Sequence, residues 1–312
     1  NIHDYFEAYL DRVGDNQLCL MSDEFNRKAL EYLNSVNLKE IVSLENDYLL
    51  SYIGAKQQYD RYLTRDDKIL IELPQFMWLR VAIGLNLLET DNFINMVNDV
   101  YRTMSNFDYM HSTATLFNAG LKTAQLSSCF KLNIEDDASS IMEAMSDAAL
   151  ISKYSGGLSL NFMKVRARGS FIKGTGGESN GVVPFMRITE VVAQAYNQGG
   201  KRPGSMCNYL PIWHADYPDF LDLRKEVGDH RQRTHDVNTA SWIPDLFMKR
   251  VIEEKEWSLF SPDETPLLSH TYGDEFEEAY QEYESLGKAG KLRVYHTMQA
   301  ESLFKTLLNA LF

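Results

Sequence analysis

The feature that most constrains the fold is an alternation of short apolar runs with helical segments, which begins near Gly120 and continues along the rest of the chain. Strand-like runs are predicted at 124–132, 158–162, 205–210, 237–242 and 257–260. Helices are predicted at 139–153, 182–196, 216–224 (with Asp216 as its cap and Pro218 in its first turn), 245–254, 275–283 and 300–311. Strands that alternate with helices favour an α/β domain with parallel strands.

The residues that precede this alternation are predicted to be helical. An apolar run occupies 73–88, and Thr90 and Asp91 are placed to cap a following helix whose apolar residues recur with a 3.6-residue period. We therefore divide the chain into a helical domain over 1–122 and an α/β domain over 123–312.

Two glycine-rich loops, 166–181 and 198–205, combine glycine with Lys and Arg. Glycine allows successive backbone N–H groups to converge on an anion, and the nearby cations add charge, so both loops are candidate nucleotide sites. Neither loop has the GxxxxGK[ST] pattern, and Ser179 stands where GxGxxG requires its third glycine. The alternative interpretation is two long surface turns.

The overall charge disfavours general electrostatic binding to polyanions. Lys and Arg number 31 against 44 Asp and Glu, which gives a net charge of −13 and a pI of about 5.0. We therefore expect neither nucleic acid nor an anionic membrane surface as a partner. A phosphate site in this chain has to be built locally, from backbone N–H groups and a few placed cations.

The cysteines and histidines indicate a cytoplasmic enzyme without a metal centre of its own. Cys19, Cys129 and Cys207 are far apart, with no CxxC pair, and the seven histidines form no HExxH motif. The apolar stretch 76–88 is interrupted by Arg80 and is too short to cross a bilayer, and no signal peptide precedes Asn1. Because the first residue is not Met, we expect the sequence to be part of a longer protein.

Cys129 lies in the sequence Leu126-Ser-Ser-Cys129-Phe-Lys-Leu, at the start of a predicted strand. A single cysteine with apolar neighbours is usually an inert core residue. The other interpretation is a redox thiol at the bottom of a site, flanked by hydroxyl groups that bind a polar substrate. Because the pKa of the thiol determines its reactivity, the sequence leaves both interpretations open.

A set of ordered motifs between residues 72 and 262 resembles the large subunit of ribonucleotide reductase. The motifs are Thr113-Ala-Thr-Leu-Phe-Asn-Ala-Gly120, Gln125-Leu-Ser-Ser-Cys129, Gly156-Gly-Leu-Ser-Leu-Asn161, Arg168-Gly-Ser-Phe-Ile-Lys-Gly174, Gln198-Gly-Gly-Lys-Arg-Pro-Gly204, Trp213-His-Ala-Asp216, Trp242-Ile-Pro-Asp-Leu-Phe-Met-Lys-Arg250 and Trp257-Ser-Leu-Phe-Ser-Pro262. The resemblance implies a helical domain followed by the first half of a ten-stranded α/β barrel.

The resemblance also implies roles for individual residues. Cys129 matches one of the two thiols that reduce the ribose and end as a disulfide. The positions that match contacts to the ribonucleoside diphosphate substrate are Thr113, Ser128, Gly157, Gln198 and Arg202. The positions that match contacts to a dNTP or ATP effector are Asp136, Asp137, Arg166 and Lys173. The loop at 198–205 would change shape with each effector and so transmit its identity to the substrate.

Several partners follow from the same resemblance. The family takes its radical from a separate di-metal subunit, and thioredoxin or glutaredoxin reduces its disulfide, so no cofactor is expected on this chain itself. Effector sites lie at a homodimer interface, for which the helix at 139–153 is a candidate. The family's radical cysteine and second redox cysteine match no position here. We therefore expect a completing C-terminal half to supply them.

Two further functional interpretations remain open at this stage. The chain could act as a nucleotide-binding and assembly module that needs a second chain for turnover. It could also be a related glycyl-radical barrel that acts on another substrate, although the two effector-like loops disfavour this. His214 is predicted to be a capping or core residue. The polar cluster at 230–235 is predicted to be a solvated face or an interface.

Overall fold

A computed structural model describes residues 2–14, 18, 20–196 and 203–311. Residue contacts divide the chain into two compact units. The first comprises Asn1–Ser128 and Tyr154–Gly156, and the second comprises Cys129–Lys153 and Gly157–Phe312. Each unit has its own cluster of buried apolar side chains.

The first unit is helical, as the sequence predicts. Its helices are α1 (Ile2–Val13), α2 (Asp23–Ser35), α3 (Leu38–Ile41), α4 (Tyr52–Gln57), α5 (Pro74–Leu85), α6 (Phe93–Ser105) and α7 (Thr113–Asn118). A 3₁₀ turn (Leu44–Leu49), a π turn (Gln58–Tyr62) and a hairpin of β1 (Arg65–Asp66) and β2 (Ile69–Leu70) complete it.

The start of α6 corrects one prediction. Asn92 occupies the cap position and its side chain makes no capping bond, whereas the Thr90 hydroxyl donates to the neighbouring Asp91 carboxylate at 3.3 Å. The predicted cap at Thr90 and Asp91 is therefore wrong, because these residues lie two and one positions before the cap residue and their side chains bond to each other.

A buried ion pair lies at the centre of the first unit. Glu72 and Arg80 are 0% and 1% exposed, and Arg80 Nε lies 2.8 Å from Glu72 Oε1. Glu72 also accepts from the Tyr9 hydroxyl at 2.6 Å and from the Thr64 N–H at 2.9 Å, while Arg80 donates to the Ala119 carbonyl at 2.9 Å. Burial acts to raise the pKa of Glu72, but Arg80 and these hydrogen bonds outweigh it and lower the pKa below its usual range.

The second unit alternates strands and helices. Its strands are β3 (Cys129–Asn133), β4 (Gly157–Asn161), β5 (Phe171–Ile172), β6 (Gly177–Glu178), β7 (Met206–Pro211), β8 (Asn238–Trp242), β9 (Glu256–Phe260) and β10 (Tyr295–Gln299). Its helices are α8 (Ala138–Lys153), α9 (Val183–Ala195), α10 (Tyr217–Leu221), α11 (Asp245–Ile252), α12 (Gly273–Lys288) and α13 (Ala300–Leu311).

Four of these strands form the predicted parallel sheet, in the order β3-β4-β7-β8. Helices α8 and α9 lie in the connections between them, as parallel pairing requires. The mixed α/β class predicted for this part of the chain is confirmed. The two remaining pairs are antiparallel: β5 with β6 in a short hairpin, and β9 with β10.

The predicted strand at 124–132 begins too early. Only Cys129–Asn133 pairs with a neighbour, because the carbonyls before it are occupied by side chains of α7. Asn118 Nδ2 donates to the Gln125 carbonyl at 2.7 Å, and Thr115 Oγ1 donates to the Leu126 carbonyl at 3.0 Å. Apolar composition alone does not reveal that these backbone groups are already used.

Replacement of Arg80 by Met should destabilise the first unit by about 3–5 kcal/mol, because it leaves the Glu72 carboxylate buried without its cation. Since Glu72 has a lowered pKa in the folded state, its contribution in the unsubstituted chain is present above the unfolded pKa and is lost as the pH falls through the folded pKa. Urea unfolding followed by circular dichroism at pH 7 and at progressively lower pH measures both effects.

The matched control is Arg27→Met, which removes an exposed cation that pairs with Glu24 within α2. Exposed pairs of this kind contribute little to stability, so its midpoint should stay close to that of the unsubstituted chain. An equal loss in the two variants would contradict the role assigned to the Glu72–Arg80 pair.

Candidate thiol and nucleotide sites

The two faces of the parallel sheet differ in chemistry. Along β4 and β7 the residues Leu158, Leu160, Met206 and Leu210 are buried and belong to the same apolar cluster as Met145 of α8 and Met186 of α9. The alternate residues on β3, β4 and β7 are half-buried or exposed and mostly polar: Cys129, Lys131, Asn133, Gly157, Ser159, Asn161, Cys207 and Tyr209. Parallel sheets are usually covered by apolar side chains on both faces. The polar face is therefore the candidate site of this unit.

Cys129 is the first residue of β3 and lies at an exposed edge of this polar face. Its backbone is in register with Gly157, the first residue of β4. The interpretation of Cys129 as an inert core residue is wrong, because its side chain is exposed and points away from the apolar cluster. Its redox role stays a prediction.

Cys207 differs from Cys129 in its surroundings. It lies on β7 in register with Ser159 of β4 and Asn238 of β8, and its side chain is half-buried. Burial raises the pKa of the Cys207 thiol, so the reactive thiolate is a smaller fraction of this residue at any given pH.

Hydroxyl groups come together in the first unit where a substrate site is predicted. Ser128 donates to the Ser112 hydroxyl, and the hydroxyl of the adjacent Thr113 lies 3.1 Å from that of Tyr62. Both predicted residues of this unit, Thr113 and Ser128, are thus held by neighbouring hydroxyls. Hydroxyl groups donate hydrogen bonds to phosphate oxygens without adding charge.

Asp136 and Arg166 form an ion pair in the predicted effector site. Asp136 Oδ1 accepts from the Arg166 backbone N–H at 3.0 Å, and Oδ2 accepts from Arg166 Nε at 2.8 Å. Arg166 Nη1 donates to the Phe171 carbonyl at 2.7 Å. Burial raises the pKa of Asp136, and these bonds from Arg166 oppose the shift. The structure thus brings these two predicted residues together.

The other two predicted effector residues occupy different positions. Asp137 caps α8, because its Oδ1 accepts from the Ser140 N–H at 3.0 Å. Lys173 is exposed at the turn between β5 and β6. Cation–π contact between Arg293 and Phe171 at 5.3 Å, together with an ion pair from Arg293 to Glu178 at 3.6 Å, holds the base of this hairpin. Sequence patterns did not single out Arg293.

Two predicted substrate residues, Gln198 and Arg202, lie outside the described residues. The end of their loop is described at Gly204, where an added Cβ would lie 2.5 Å from the Ala193 carbonyl oxygen and 2.7 Å from that of Tyr196. A side chain at 204 would therefore collide with the end of α9. This close approach explains the glycine.

Asp216 corrects another prediction. It occupies the cap position of α10 but makes no capping bond, and α10 is shorter than the predicted helix at 216–224. Its carboxylate instead accepts the backbone N–H groups of Arg168 at 3.0 Å and Val182 at 2.9 Å. His214 is fully buried, as its predicted core or capping role requires, and its Nδ1 accepts the Asp216 N–H at 3.0 Å.

Within the ranges that the structure describes, no cluster of three or more His, Cys, Asp or Glu side chains is arranged to hold a metal ion. Across the same residues, no helix combines the length and apolar character needed to cross a membrane.

Two stretches of the chain match known protein domains. Residues 127–312 match the barrel domain of ribonucleotide reductase, and residues 48–124 match the all-alpha domain of the same enzyme. The chain therefore belongs to the ribonucleotide reductase large-subunit family, as its motifs predict.

Individual relatives agree with this assignment. A ribonucleoside-diphosphate reductase subunit alpha of Chlamydia muridarum is 47% identical over 99% of this chain and 31% of its own length. The large subunit of Variola virus is 44% identical over 79% of this chain and 32% of its own length. The large chain of Neurospora crassa is 42% identical over 85% of this chain and 28% of its own length. The chain thus spans about a third of the length of these relatives.

The two described cysteines should react at different rates. We expect iodoacetamide at pH 8 to alkylate Cys129 faster than Cys207, because Cys129 is exposed whereas burial both shields Cys207 and raises its pKa. Peptide mapping by mass spectrometry over time gives the two rates. Denaturation in urea is the control and should bring the rates together. Faster alkylation of Cys207 in the folded chain would contradict the geometry.

Proposed function

We propose that this chain is the part of a ribonucleotide reductase large subunit that binds ribonucleoside diphosphates and supplies Cys129 as one of the two redox thiols. One observation carries the proposal: Cys129 is exposed at the edge of the polar face of a parallel sheet. The reaction class comes from the family, and the accessible position of the thiol supports its use in chemistry.

The electron balance requires a second thiol. Replacement of the ribose 2′-hydroxyl by hydrogen consumes two electrons and releases water, and two thiols supply these electrons when they form a disulfide. Cys207 is two strands and two residues away from Cys129 in the sheet register. Strand spacing and rise then separate the two Cα atoms by roughly 12 Å. This is beyond the ~7 Å limit for a disulfide, so Cys207 is not proposed as the second thiol.

The hydroxyl groups of Thr113 and Ser128 are proposed to donate to the substrate diphosphate. Both are held by neighbouring hydroxyls, which orients them before substrate arrives. Gly157 is proposed to allow close approach of the ribose, since it has no side chain on the polar face of β4. Gln198 and Arg202 are proposed to contact the base.

We assign the effector site to Arg166 and Lys173. Arg166 is 25% exposed and is oriented by Asp136, so it presents a fixed cation to a triphosphate. Lys173 at the hairpin turn adds a second, exposed cation. In a chain of net charge −13, this local pair supplies the attraction for a deoxynucleoside triphosphate or ATP.

The homodimer contact is proposed on α8 and α9, which pack against each other. Their outer surfaces expose Met142, Leu150 and Val191 at 54%, 52% and 60%. Exposed apolar side chains on two helices that pack against each other are candidates for an association surface. A separate di-metal subunit as radical source and thioredoxin or glutaredoxin as reductant complete the proposed set of partners.

A deoxynucleoside triphosphate should bind the chain and promote self-association, because effector and dimer contacts share the α8 region. Calorimetry measures the binding, and sedimentation velocity with and without nucleotide measures the association. Arg166→Ala should weaken binding by about tenfold or more through the loss of a charged hydrogen-bond donor. Absence of binding at millimolar nucleotide would refute the effector assignment.

The dimer surface is tested separately by Met142→Glu, which places a charge on α8. It should prevent association, and nucleotide should still bind the monomer, with the lower affinity that the loss of the coupled association requires. The matched control is Ile252→Glu, which adds the same charge at an apolar residue of α11 that is 80% exposed. Equal association of both variants would argue against α8 as the contact.

Cys129→Ser in the complete enzyme should abolish turnover with an external reductant while nucleoside diphosphate binding stays within about threefold, since a group used only in the chemical step lowers kcat and spares affinity. Cys207→Ser is the matched control and should retain turnover. A large loss of substrate affinity in Cys129→Ser would contradict a purely chemical role.

A further inference from the structure

Three successive backbone N–H groups at 166–168 are each held by a side chain from a different segment of the second unit. Asp136, between β3 and α8, accepts the first at 3.0 Å. Ser261, just after β9, accepts the second at 2.9 Å, and Asp216, just before α10, accepts the third at 3.0 Å. The entry to the first glycine-rich loop is therefore fixed by long-range side-chain contacts, since it belongs to neither a helix nor a strand.

Asp216 has a second contact that closes the loop. Its Oδ2 accepts the N–H of Val182 at 2.9 Å, and Val182 is the residue at which the loop leads into α9. A single carboxylate, in a residue that is 6% exposed, thus joins the two ends of the segment 168–182. That segment contains the β5–β6 hairpin and Lys173.

Two neighbours of Asp216, Gly181 and His214, restrict the position of its carboxylate and of its backbone. Gly181 has φ of +77°, and an added Cβ would lie 2.2 Å from Asp216 Oδ2. On the other side, His214 accepts the Asp216 N–H through Nδ1 and contacts the Val165 carbonyl through Nε2 at 2.8 Å, which identifies Nε2 as the protonated nitrogen. His214 therefore fixes the backbone from which the Asp216 side chain reaches the loop.

The segment that contains Asp216 is also continuous with the sheet. It follows β7, and the Ala215 N–H donates to the Phe260 carbonyl of β9 at 2.7 Å while the Phe260 N–H donates to Trp213 at 2.8 Å. Because β7 begins where the second glycine-rich loop ends, one continuous stretch of chain, 206–216, connects that loop to the residue that holds both ends of the first.

We infer that Asp216 is a positioning residue of the effector site: its carboxylate clasps Arg168 and Val182 and so presets the segment 168–182, which begins two residues after Arg166 and carries Lys173. The inference rests on the proposed function of that loop. Without the clasp, nucleotide binding would have to order the loop, and the entropy lost in ordering would appear as weaker affinity.

The test compares Asp216→Asn, Gly181→Ala and the control Asp222→Asn in the whole chain. Asparagine keeps one acceptor but turns a donor NH₂ toward a backbone N–H, and alanine at 181 displaces the carboxylate while leaving it charged. Asp222 pairs with Lys225 at 2.6 Å and contacts neither end of the loop, so its variant controls for the same change of charge nearby.

Two measurements are made on each variant. Amide hydrogen exchange, resolved by fragmentation mass spectrometry, should be faster by about tenfold or more at Arg168 and Val182 in both clasp variants and unchanged in the control. Calorimetry should show dATP affinity weaker by about tenfold or more in the clasp variants, with nucleoside diphosphate affinity within about twofold.

If the Arg168 and Val182 amides exchange as slowly in both clasp variants as in the unsubstituted chain, Asp216 does not hold the two ends of the loop. Faster exchange with unchanged dATP affinity would overturn the positioning role. Equal losses of dATP and nucleoside diphosphate affinity would mean that Asp216 contributes only to the general stability of the chain. That result would also overturn the positioning role. If the unsubstituted chain binds no dATP, the effector function itself fails, and the exchange data alone decide whether Asp216 holds the loop.

Discussion

The structure depends on a parallel sheet that is covered by apolar side chains on one face only. Burial of Leu158, Leu160, Met206 and Leu210 against α8 and α9 stabilises the second unit by removing apolar surface from water. The alternate residues of the same strands lie on the opposite, polar face of the sheet. Because side chains alternate along a strand, the residues that stabilise the fold also fix which residues face the site. Cys129 owes its exposure to this alternation.

Carboxylates in this acidic chain accept hydrogen bonds from backbone N–H groups as well as pairing with cations. Glu72 accepts the Thr64 N–H, Asp136 that of Arg166, Asp216 those of Arg168 and Val182, and Glu264 those of Arg293 and Val294. Each bond replaces a contact that a strand or helix would otherwise provide. The irregular segments around the candidate effector site therefore keep a defined shape without extended secondary structure.

The sequence predicts the helices well and the long-range contacts poorly. Helices α8, α9 and α13 begin and end within a residue of the prediction, because their apolar period is a local property. Strand β10 was missed, since His296, Thr297 and Gln299 give it no apolar pattern and it forms only by pairing with β9. The role of Asp216 could not be predicted, because its partners Arg168 and Val182 are 48 and 34 residues away.

In the candidate site, too, some features could be predicted from the sequence and others could not. The motifs predict that Asp136 and Arg166 contact an effector, and the structure brings their two side chains together. For Cys129, only the sheet register and the exposure of its side chain distinguish an accessible position from a core position. The contact between Gly181 and Asp216 has an evolutionary consequence. These positions are expected to covary among relatives: a shorter residue at 216 would relieve the crowding at 181, where the positive φ would then favour Asn as the first replacement for Gly.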